Sequence, residues 1–370
     1  MTNEPFTEET TGQIDPQNPF DNALENSAYR TDYRRFLPQI LLPGFQIPLF
    51  PERDERRNIR RQMNTAGAGM LLGTLIAQLL FPLAVLLLLL CMDGTTASYF
   101  NGDQSGAVRT IMNSGIYMAL HCLILAGSNV LVALLGCRRI RQPLGGLFRT
   151  TDFSGWKAFQ YICIGIGLQY VAVLIYAVLK YVGQGLGMEF PEVSFDYFQT
   201  GQSTMLVLLY TCILAPITEG FLLKSLSVVS TRFGVIVTAL LFGLMHGNVQ
   251  QGILGVLVGL FLGKIVIRHN SLTPSILVHI ALNTSSTLIS VLLALLPENI
   301  GNVAILPLEF VVLALAVMGI AFWFGKERKE PLPYPTQKQA TRNRVFWSSP
   351  LLLLAFAALL GLMVYYAMAV

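Results

Sequence analysis

The sequence predicts an all-α protein, a multi-pass transmembrane bundle of about eight to nine spanning helices. Hydrophobic residues make up 53% of the 370 residues and charged residues only 12%, whereas soluble proteins usually carry about 25% charged residues. Residues 62–92 and 345–370 contain no charged residue. Each of these runs exceeds the ~20 residues that a helix needs to cross the hydrocarbon core.

Residues 1–67 are predicted to form a cytoplasmic tail followed by a basic segment on the membrane surface. The first 29 residues are polar and acidic, and they lack the basic and apolar regions of a signal peptide. Arginines then accumulate between Arg30 and Arg61, around a proline-rich apolar stretch. The prolines argue against a long helix, so this stretch is expected to lie on the membrane. We interpret the arginines as topological anchors and not as a nucleic-acid site.

Apolar segments separated by polar turns predict nine candidate spans. They cover residues 68–92, 112–136, 156–182, 202–229, 233–249, 250–267, 272–297, 304–324 and 348–369. Basic residues fall in alternate connections, so the positive-inside rule places the N-terminus in the cytoplasm. We divide the spanning part into accessory helices (68–199), a central core (200–297) and C-terminal helices (298–370). The expected location is an integral position in a prokaryotic plasma membrane.

Four polar residues interrupt the apolar sequence of the central core: Glu219, His246, His279 and Asn283. At 1.5 Å of rise per residue, all four are expected in the middle band of the bilayer. His279 and Asn283 are spaced i, i+4 and therefore share one helix face. Ionisable groups inside spanning segments are costly, which favours a shared functional site. Of the other histidines, His121 is interpreted as a core hydrogen-bonding residue and His269 as a surface residue.

A carboxylate beside two imidazoles is suited to hydrolysis. Glu219 could activate a water as a general base, and one imidazole could orient that water or bind a metal. His279 and Asn283 could polarise the scissile carbonyl and stabilise the oxyanion. If zinc is the cofactor, His246 and His279 are the expected ligands, with Glu219 as the third. Metal ligand and free general base are competing roles for Glu219, and the sequence leaves both open.

The ordered motifs A-P-I-T-E, F-G-L-M-H and H-I-A-L-N resemble those of the CPBP family. This family comprises the CAAX prenyl proteases and the bacteriocin-processing, Abi-type intramembrane metalloproteases, with the pattern E-E-x-x-x-R, F-x-x-x-H and H-x-x-x-N/D. Glu219 matches the first motif, Phe242 and His246 the second, and His279 and Asn283 the third. The resemblance covers about residues 200–297. It implies an intramembrane endopeptidase acting on a peptide or a membrane-tethered protein, in prenyl-protein processing, peptide maturation or bacteriocin self-immunity.

The first motif departs from the family pattern at two positions. Gly220 replaces the second glutamate and Lys224 replaces the arginine. Adjacent helical residues point about 100° apart, so the loss of the second glutamate can spare a base at Glu219. Lysine keeps the charge but loses the planar fork of arginine. The structural alternative for Glu219 is an ion pair with Lys224, whose ammonium group would reach the inner membrane surface.

Two other classes of function are alternatives to the protease, and the change at Gly220 favours the first of them. The first is a weakened or inactive CPBP-like membrane protein that acts as a scaffold or as a bacteriocin self-immunity partner. The second is a transporter, for which inverted repeats are expected and none is seen in the sequence. The expected partners are a peptide or membrane-protein substrate and membrane lipid, without nucleic acid.

Overall fold

The fold is an all-α bundle, as the sequence predicts. The computed structural model describes residues 51–140, 148, 150, 153–186, 201–226, 231–297, 300, 303–329 and 344–368, and no strand occurs among them. We number its helices in chain order. They are α1 (Pro51–Cys91), α2 (Thr95–Phe100), α3 (Gln104–Met112), α4 (Gly115–Ile140), α5 (Gly155–Gly185), α6 (Gly201–Leu209), α7 (Ala215–Leu226), α8 (Thr231–Leu244), α9 (Val249–His269), α10 (Thr273–Leu295), α11 (Leu306–Gly325) and α12 (Pro350–Met368).

Seven of the described helices are long and apolar enough to cross a membrane. They are α1, α4, α5, α9, α10, α11 and α12, each overlapping one predicted span. The two remaining predicted spans, 202–229 and 233–249, correspond to shorter apolar stretches at Thr204–Gly220 and Phe233–Leu244. The bundle therefore has seven full-length candidates, and the short helices carry much of the predicted site. The orientation of the bundle and its division into three parts stay predictions.

The first helix begins earlier than the sequence predicts. α1 is one continuous helix of 41 residues from Pro51, so the helix includes the arginines between 53 and 61. Its candidate membrane span begins at Ile59, and the position of the basic segment on the membrane surface stays a prediction. Proline is tolerated in the first turn because its missing N–H would have no helical partner there. The rest of the predicted tail and surface segment lies outside the described residues.

Close helix contacts at glycines build the centre of the bundle. In the α8–α9 hairpin, a Cβ added at Gly255 would lie 2.9 Å from the Cα atom of Gly243, and one at Gly259 would lie 3.1 Å from that of Ala239. Small residues of this kind allow two helices to approach closely inside a membrane. Phe242 lies on this hairpin and is 2% exposed, packed in a core with residues of α5, α9, α10 and α11.

A buried ionic cluster ties the end of α11 to α5 and α9. It consists of Glu327, Lys157, Lys264 and Arg268, and we call it the Glu327 cluster. The carboxylate of Glu327 lies 3.0 Å from Lys157 Nζ and 3.5 Å from Lys264 Nζ, and it also pairs with the Arg268 guanidinium. Burial opposes ionisation of Glu327, but the hydrogen bond from Lys157 and the three positive charges outweigh it. They hold the pKa of this carboxyl below its ordinary value of 4.5.

Candidate active site

The centre of the candidate site is a carboxylate beside an imidazole. Glu219 lies on α7 and His279 on α10, and Glu219 Oε2 is 3.7 Å from His279 Nε2. Their side chains are only 11% and 7% exposed. The structure thus brings together two residues that the sequence places 60 positions apart. The separation is longer than a direct hydrogen bond.

His246 lies in a different kind of element from the one predicted. α8 ends at Leu244, and His246 lies in the turn that leads to α9, so the prediction of a span over 233–249 is wrong at its end. The turn uses a left-handed glycine, because Gly247 has φ +71°. His246 Nδ1 lies 2.7 Å from the carbonyl oxygen of Phe242. Since a carbonyl oxygen only accepts, Nδ1 carries the proton, and in the neutral ring Nε2 keeps a lone pair.

The ring of Phe242 lies between the two imidazoles. Its centroid is 5.0 Å from that of His246 and 5.9 Å from that of His279, with both imidazoles nearly perpendicular to it. Edge-to-face contacts of this kind restrict the orientation of all three rings. Phe242, the first residue of the second motif, therefore contacts both His246 of its own motif and His279 of the third motif.

Asn283 is on the same face of α10 as His279, one turn later. Its Nδ2 donates a hydrogen bond to the backbone carbonyl of Thr211, at 2.8 Å. Thr211 belongs to a π-helical stretch, Tyr210–Leu214, which we call the π segment. The amide of Asn283 is thus in contact with the backbone that precedes Glu219.

The departure at Gly220 has a clear packing role. Gly220 is buried, and an added Cβ would lie 2.9 Å from Ile276 Cγ1, on the helix that carries His279. A larger residue at 220 would displace Ile276 and separate α7 from α10. The predicted pairing of Glu219 with Lys224 falls on a side chain outside the described residues.

Two buried polar residues of the bundle were missed by sequence reasoning. Asn129 of α4 is 8% exposed, and its Nδ2 lies 3.5 Å from the hydroxyl of Thr218, the neighbour of Glu219. Thr238 of α8 is 2% exposed. Within the described part of the chain, neither its hydroxyl nor His279 Nδ1 has a hydrogen-bond partner. For Asn129 and Thr238, the available signal in the sequence was a polar side chain within an apolar span.

The two remaining histidines differ from their interpretations. His269 was predicted at the surface, but it is half-buried, with Nε2 3.1 Å from the hydroxyl of Tyr161. It follows the last apolar turn of α9 and packs against the end of α5. His121 was predicted as a core hydrogen-bonding residue. Its ring instead stacks on Phe81 at 4.6 Å, and its buried Nδ1 has no partner among the residues described.

The described residues do not form the predicted zinc site. No three of their His, Cys, Asp or Glu side chains form a group that could hold a metal ion, whereas catalytic zinc normally uses three protein ligands. Zinc bound by His246, His279 and Glu219 therefore stays a prediction from the sequence. We derive no catalytic step through a metal.

Comparison with known families agrees with the geometry of this region. A family model described as "Type II CAAX prenyl endopeptidase Rce1-like" matches residues 201–285. This stretch runs from the start of α6 into α10 and contains all four predicted site residues. No curated protein and no solved structure gives a significant match. Residues 201–285 are thus similar to the CAAX-protease (CPBP) family, in agreement with the resemblance of the sequence motifs.

Proposed function

We propose that this protein is an intramembrane endopeptidase in which Glu219 activates the attacking water. Its substrate would be a peptide or a membrane-tethered protein. The observation that carries the proposal is the buried pair of Glu219 and His279, with 3.7 Å between carboxylate and imidazole. Two such groups deep among apolar helices have a high free-energy cost unless they serve a function. The family match to residues 201–285 supports protease activity at the family level.

The separation of the two groups suits a shared water. A water oxygen about 2.8 Å from both Glu219 Oε2 and His279 Nε2 fits a gap of 3.7 Å. Glu219 would accept a proton from this water as its oxygen attacks the scissile carbonyl carbon. His279 would lie beside the oxyanion of the tetrahedral intermediate. Breakdown of the intermediate breaks the C–N bond, and the amine leaves with the proton that Glu219 had accepted.

His246 is suited to orienting the water. Its Nδ1 proton is directed to the Phe242 carbonyl, so the neutral ring presents Nε2 as an acceptor. An acceptor at this position can bind the second O–H of the attacking water. A role as hydrogen-bond donor to the oxyanion would require the ring to be protonated.

The proposal is tested with purified protein in detergent and two quenched fluorescent peptides. One ends in a farnesylated CAAX sequence, and the other has the same sequence without the lipid. Glu219→Gln keeps the size of the side chain but removes the base, so cleavage should fall by about 10²- to 10⁴-fold. Glu309→Gln is the matched control, because Glu309 is an exposed carboxylate on α11 and its loss should leave cleavage unchanged.

The outcome separates the protease from its non-enzymatic alternative. Cleavage that survives both Glu219→Gln and His246→Ala would contradict the proposed mechanism. Absence of cleavage of either peptide by the wild-type protein would favour the scaffold or immunity partner that the change at Gly220 suggests. Metal analysis of the same preparation would test the zinc prediction separately.

A further inference from the structure

The last helix of the chain follows α8 toward the turn that carries His246. A buried core joins one face of α12 to α8, and its members from these two helices are Leu352, Ala355, Leu359, Val237 and Leu241. The α12 members are three and four residues apart, which is the spacing of a single helix face. Met363 and Tyr366 continue this face at the same spacing toward the end of α12.

These two residues of α12 cover the turn and the start of α9. Tyr366 lies over Gly247, because a Cβ added at Gly247 would be 3.4 Å from Tyr366 Cδ2 and 3.7 Å from its Cε2. Met363 lies against the first turn of α9, where a Cβ added at Gly252 would be 2.8 Å from Met363 Cε. The end of α12 therefore packs on the segment between α8 and α9, which contains His246.

A hydrogen bond from α1 holds the ring of Tyr366 over the turn. Gln78 Nε2 donates to the Tyr366 hydroxyl at 2.8 Å. Gln78 lies within the candidate membrane span Ile59–Cys91 of α1, between apolar residues. A polar side chain in such a span is stabilised by a hydrogen bond to a neighbouring helix. The pair of Gln78 and Tyr366 thus links α1 to α12 at the level of the turn.

The position of His246 depends on this turn. Its ring is fixed at Nδ1 by the Phe242 carbonyl, at 2.7 Å, but its backbone belongs to the turn. The next residue, Gly247, has φ +71°, and glycine has more conformational freedom than any other residue. A flexible residue beside His246 is held in one conformation by contacts from outside the turn. The ring of Tyr366 is such a contact.

We propose that Tyr366, held by Gln78, is a positioning residue that keeps His246 oriented toward the site. It acts through the turn at Gly247 and does not touch the reacting atoms. This inference rests on the proposed function, in which His246 orients the attacking water. It gives α1 and α12 a role in catalysis, although both helices lie outside the family match to residues 201–285.

The first test compares Tyr366→Ala with Tyr181→Ala in cleavage of the farnesylated peptide. Tyr181 is the matched control, because it is a tyrosine near the end of another spanning helix, α5, and is 80% exposed. Tyr366→Ala should lower kcat about tenfold or more with KM changed less than about threefold, because a misplaced catalytic group slows the chemical step. Tyr181→Ala should stay within about twofold of wild type. Equal losses in the two variants, or a wild-type kcat in Tyr366→Ala, would overturn the inference.

A double-mutant cycle tests the hydrogen bond. Tyr366→Phe keeps the ring over Gly247 without the hydroxyl, and Gln78→Leu removes the donor. Each change should lower kcat about two- to fivefold, and the double variant should be no slower than the slower single variant, since both changes remove one bond. Losses that multiply would overturn the inference. This cycle also decides the matter if Tyr366→Ala gives too little folded protein, because both of its variants retain the ring.

The matched control for the hydroxyl is Tyr365→Phe. Tyr365 is the adjacent tyrosine of α12 and is 63% exposed, so the loss of its hydroxyl should leave kcat unchanged. A loss equal to that of Tyr366→Phe would show a general effect of hydroxyl removal at the end of α12 and would count against the role of Gln78 and Tyr366.

A second readout requires no cleavage. The chain has four histidines, so NMR spectra of protein labelled with heavy nitrogen at histidine contain few ring signals, and His246→Gln identifies the signals of His246. Tyr366→Ala should change these signals and leave those of His269 in place, whereas Tyr181→Ala should change neither. Signals of His246 that match the wild type in Tyr366→Ala would overturn the inference even if Glu219→Gln abolishes cleavage.

The two readouts keep this inference separate from the proposed function. If Glu219→Gln retains full cleavage while the signals of His246 still respond to Tyr366→Ala, the proposed mechanism fails. The role of Tyr366 in positioning His246 then stands, because it was observed without the reaction.

Discussion

Glu219 and Glu327 are both buried carboxylates, but their surroundings are opposite. Glu219 is 8% exposed and Glu327 is 3% exposed. Glu327 pairs with three cationic side chains at the end of α11. Within the described part of the chain, Glu219 has one titratable neighbour within 4 Å, the imidazole of His279 at 3.7 Å, and its carboxylate makes no hydrogen bond. The carboxylate of Glu219 thus has few favourable polar contacts, whereas that of Glu327 has several.

Under the proposed function, Glu327 is a structural charge and Glu219 is a charge available for chemistry. A buried charge must be paired and hydrogen-bonded to avoid a large desolvation penalty. Around Glu327, all of the available interactions stabilise the packing of α5, α9 and α11. Around Glu219, the arrangement leaves carboxylate oxygens for a water, at some expense in stability. The comparison predicts that the two glutamates respond to substitution in different assays.

The largest effect on stability is expected from Glu327→Gln. The change removes the negative charge that faces Lys157, Lys264 and Arg268, whose side chains are 21%, 12% and 16% exposed. Breaking a buried ion pair in this way costs about 3–5 kcal/mol. Thermal unfolding in detergent should show a clear fall in Tm, and the folded fraction should keep its specific cleavage activity. An unchanged Tm would show that the Glu327 cluster does not hold the helices together.

Protonation of Glu327 should lower the stability of the wild-type protein as the pH decreases. The pKa of Glu327 in the folded protein is below the ordinary value of 4.5. Between these two values, the folded state binds fewer protons than the unfolded state. The stabilisation is therefore present above the ordinary carboxyl range and is lost as the pH falls toward the folded pKa. The Tm difference between wild type and Glu327→Gln should be full at neutral pH and shrink as the pH falls below the ordinary carboxyl value of 4.5. A difference that stays constant below this value would exclude this source of stability.

A smaller loss of stability is expected from Gly220→Ala, at the residue next to Glu219. The new methyl group would lie 2.9 Å from Ile276 Cγ1 and push α7 away from α10. Overpacking of this kind costs about 1–3 kcal/mol. Both Tm and cleavage should decrease. Gly361→Ala on α12 is the matched control, because nothing lies within 4 Å of its added Cβ and helix propensity favours alanine. Equal effects of the two changes would argue against close packing at Gly220.

The smallest effect on stability is expected from Glu219→Gln. Since Glu219 has few stabilising contacts, a neutral amide of the same size should leave Tm equal to that of wild type or raise it. The same variant should lose cleavage, which gives the opposite pattern to Glu327→Gln. A large drop in Tm would show that Glu219 is a structural charge, like Glu327.

Helix positions were predictable because they follow from local hydropathy. The spans 272–297, 304–324 and 348–369 agree with α10, α11 and α12 to within about two residues. Apolar runs bounded by polar residues suffice for this, because each spanning helix satisfies its own backbone. The end of α8 was not predictable in the same way, because Leu244 and Met245 continue the apolar sequence across the end of the helix, and the left-handed Gly247 lies in the turn that follows.

Contacts between distant residues were beyond the sequence pattern. Glu327 follows Trp323, Phe324, Gly325 and Lys326 and reads as part of an ordinary basic turn. Its burial depends on cations from two other helices. The π segment is equally hidden, because its widened turn is stabilised by Asn283 from α10. Pro216 has no N–H and so cannot pair with a carbonyl of the preceding turn, but the sequence does not show which residue supplies a donor instead.

The sequence by itself determined the class of protein and the order of the motif residues, since hydropathy, charge and residue spacing are local properties. It also predicted that Glu219, His246, His279 and Asn283 lie in one region of the membrane. Only the tertiary structure showed that Glu219 lies beside His279, that His246 lies in a turn next to Phe242, and that Asn283 bonds to Thr211. The first and last of these contacts join helices that are far apart in the chain, and close packing around Gly220 and Gly255 brings such helices together.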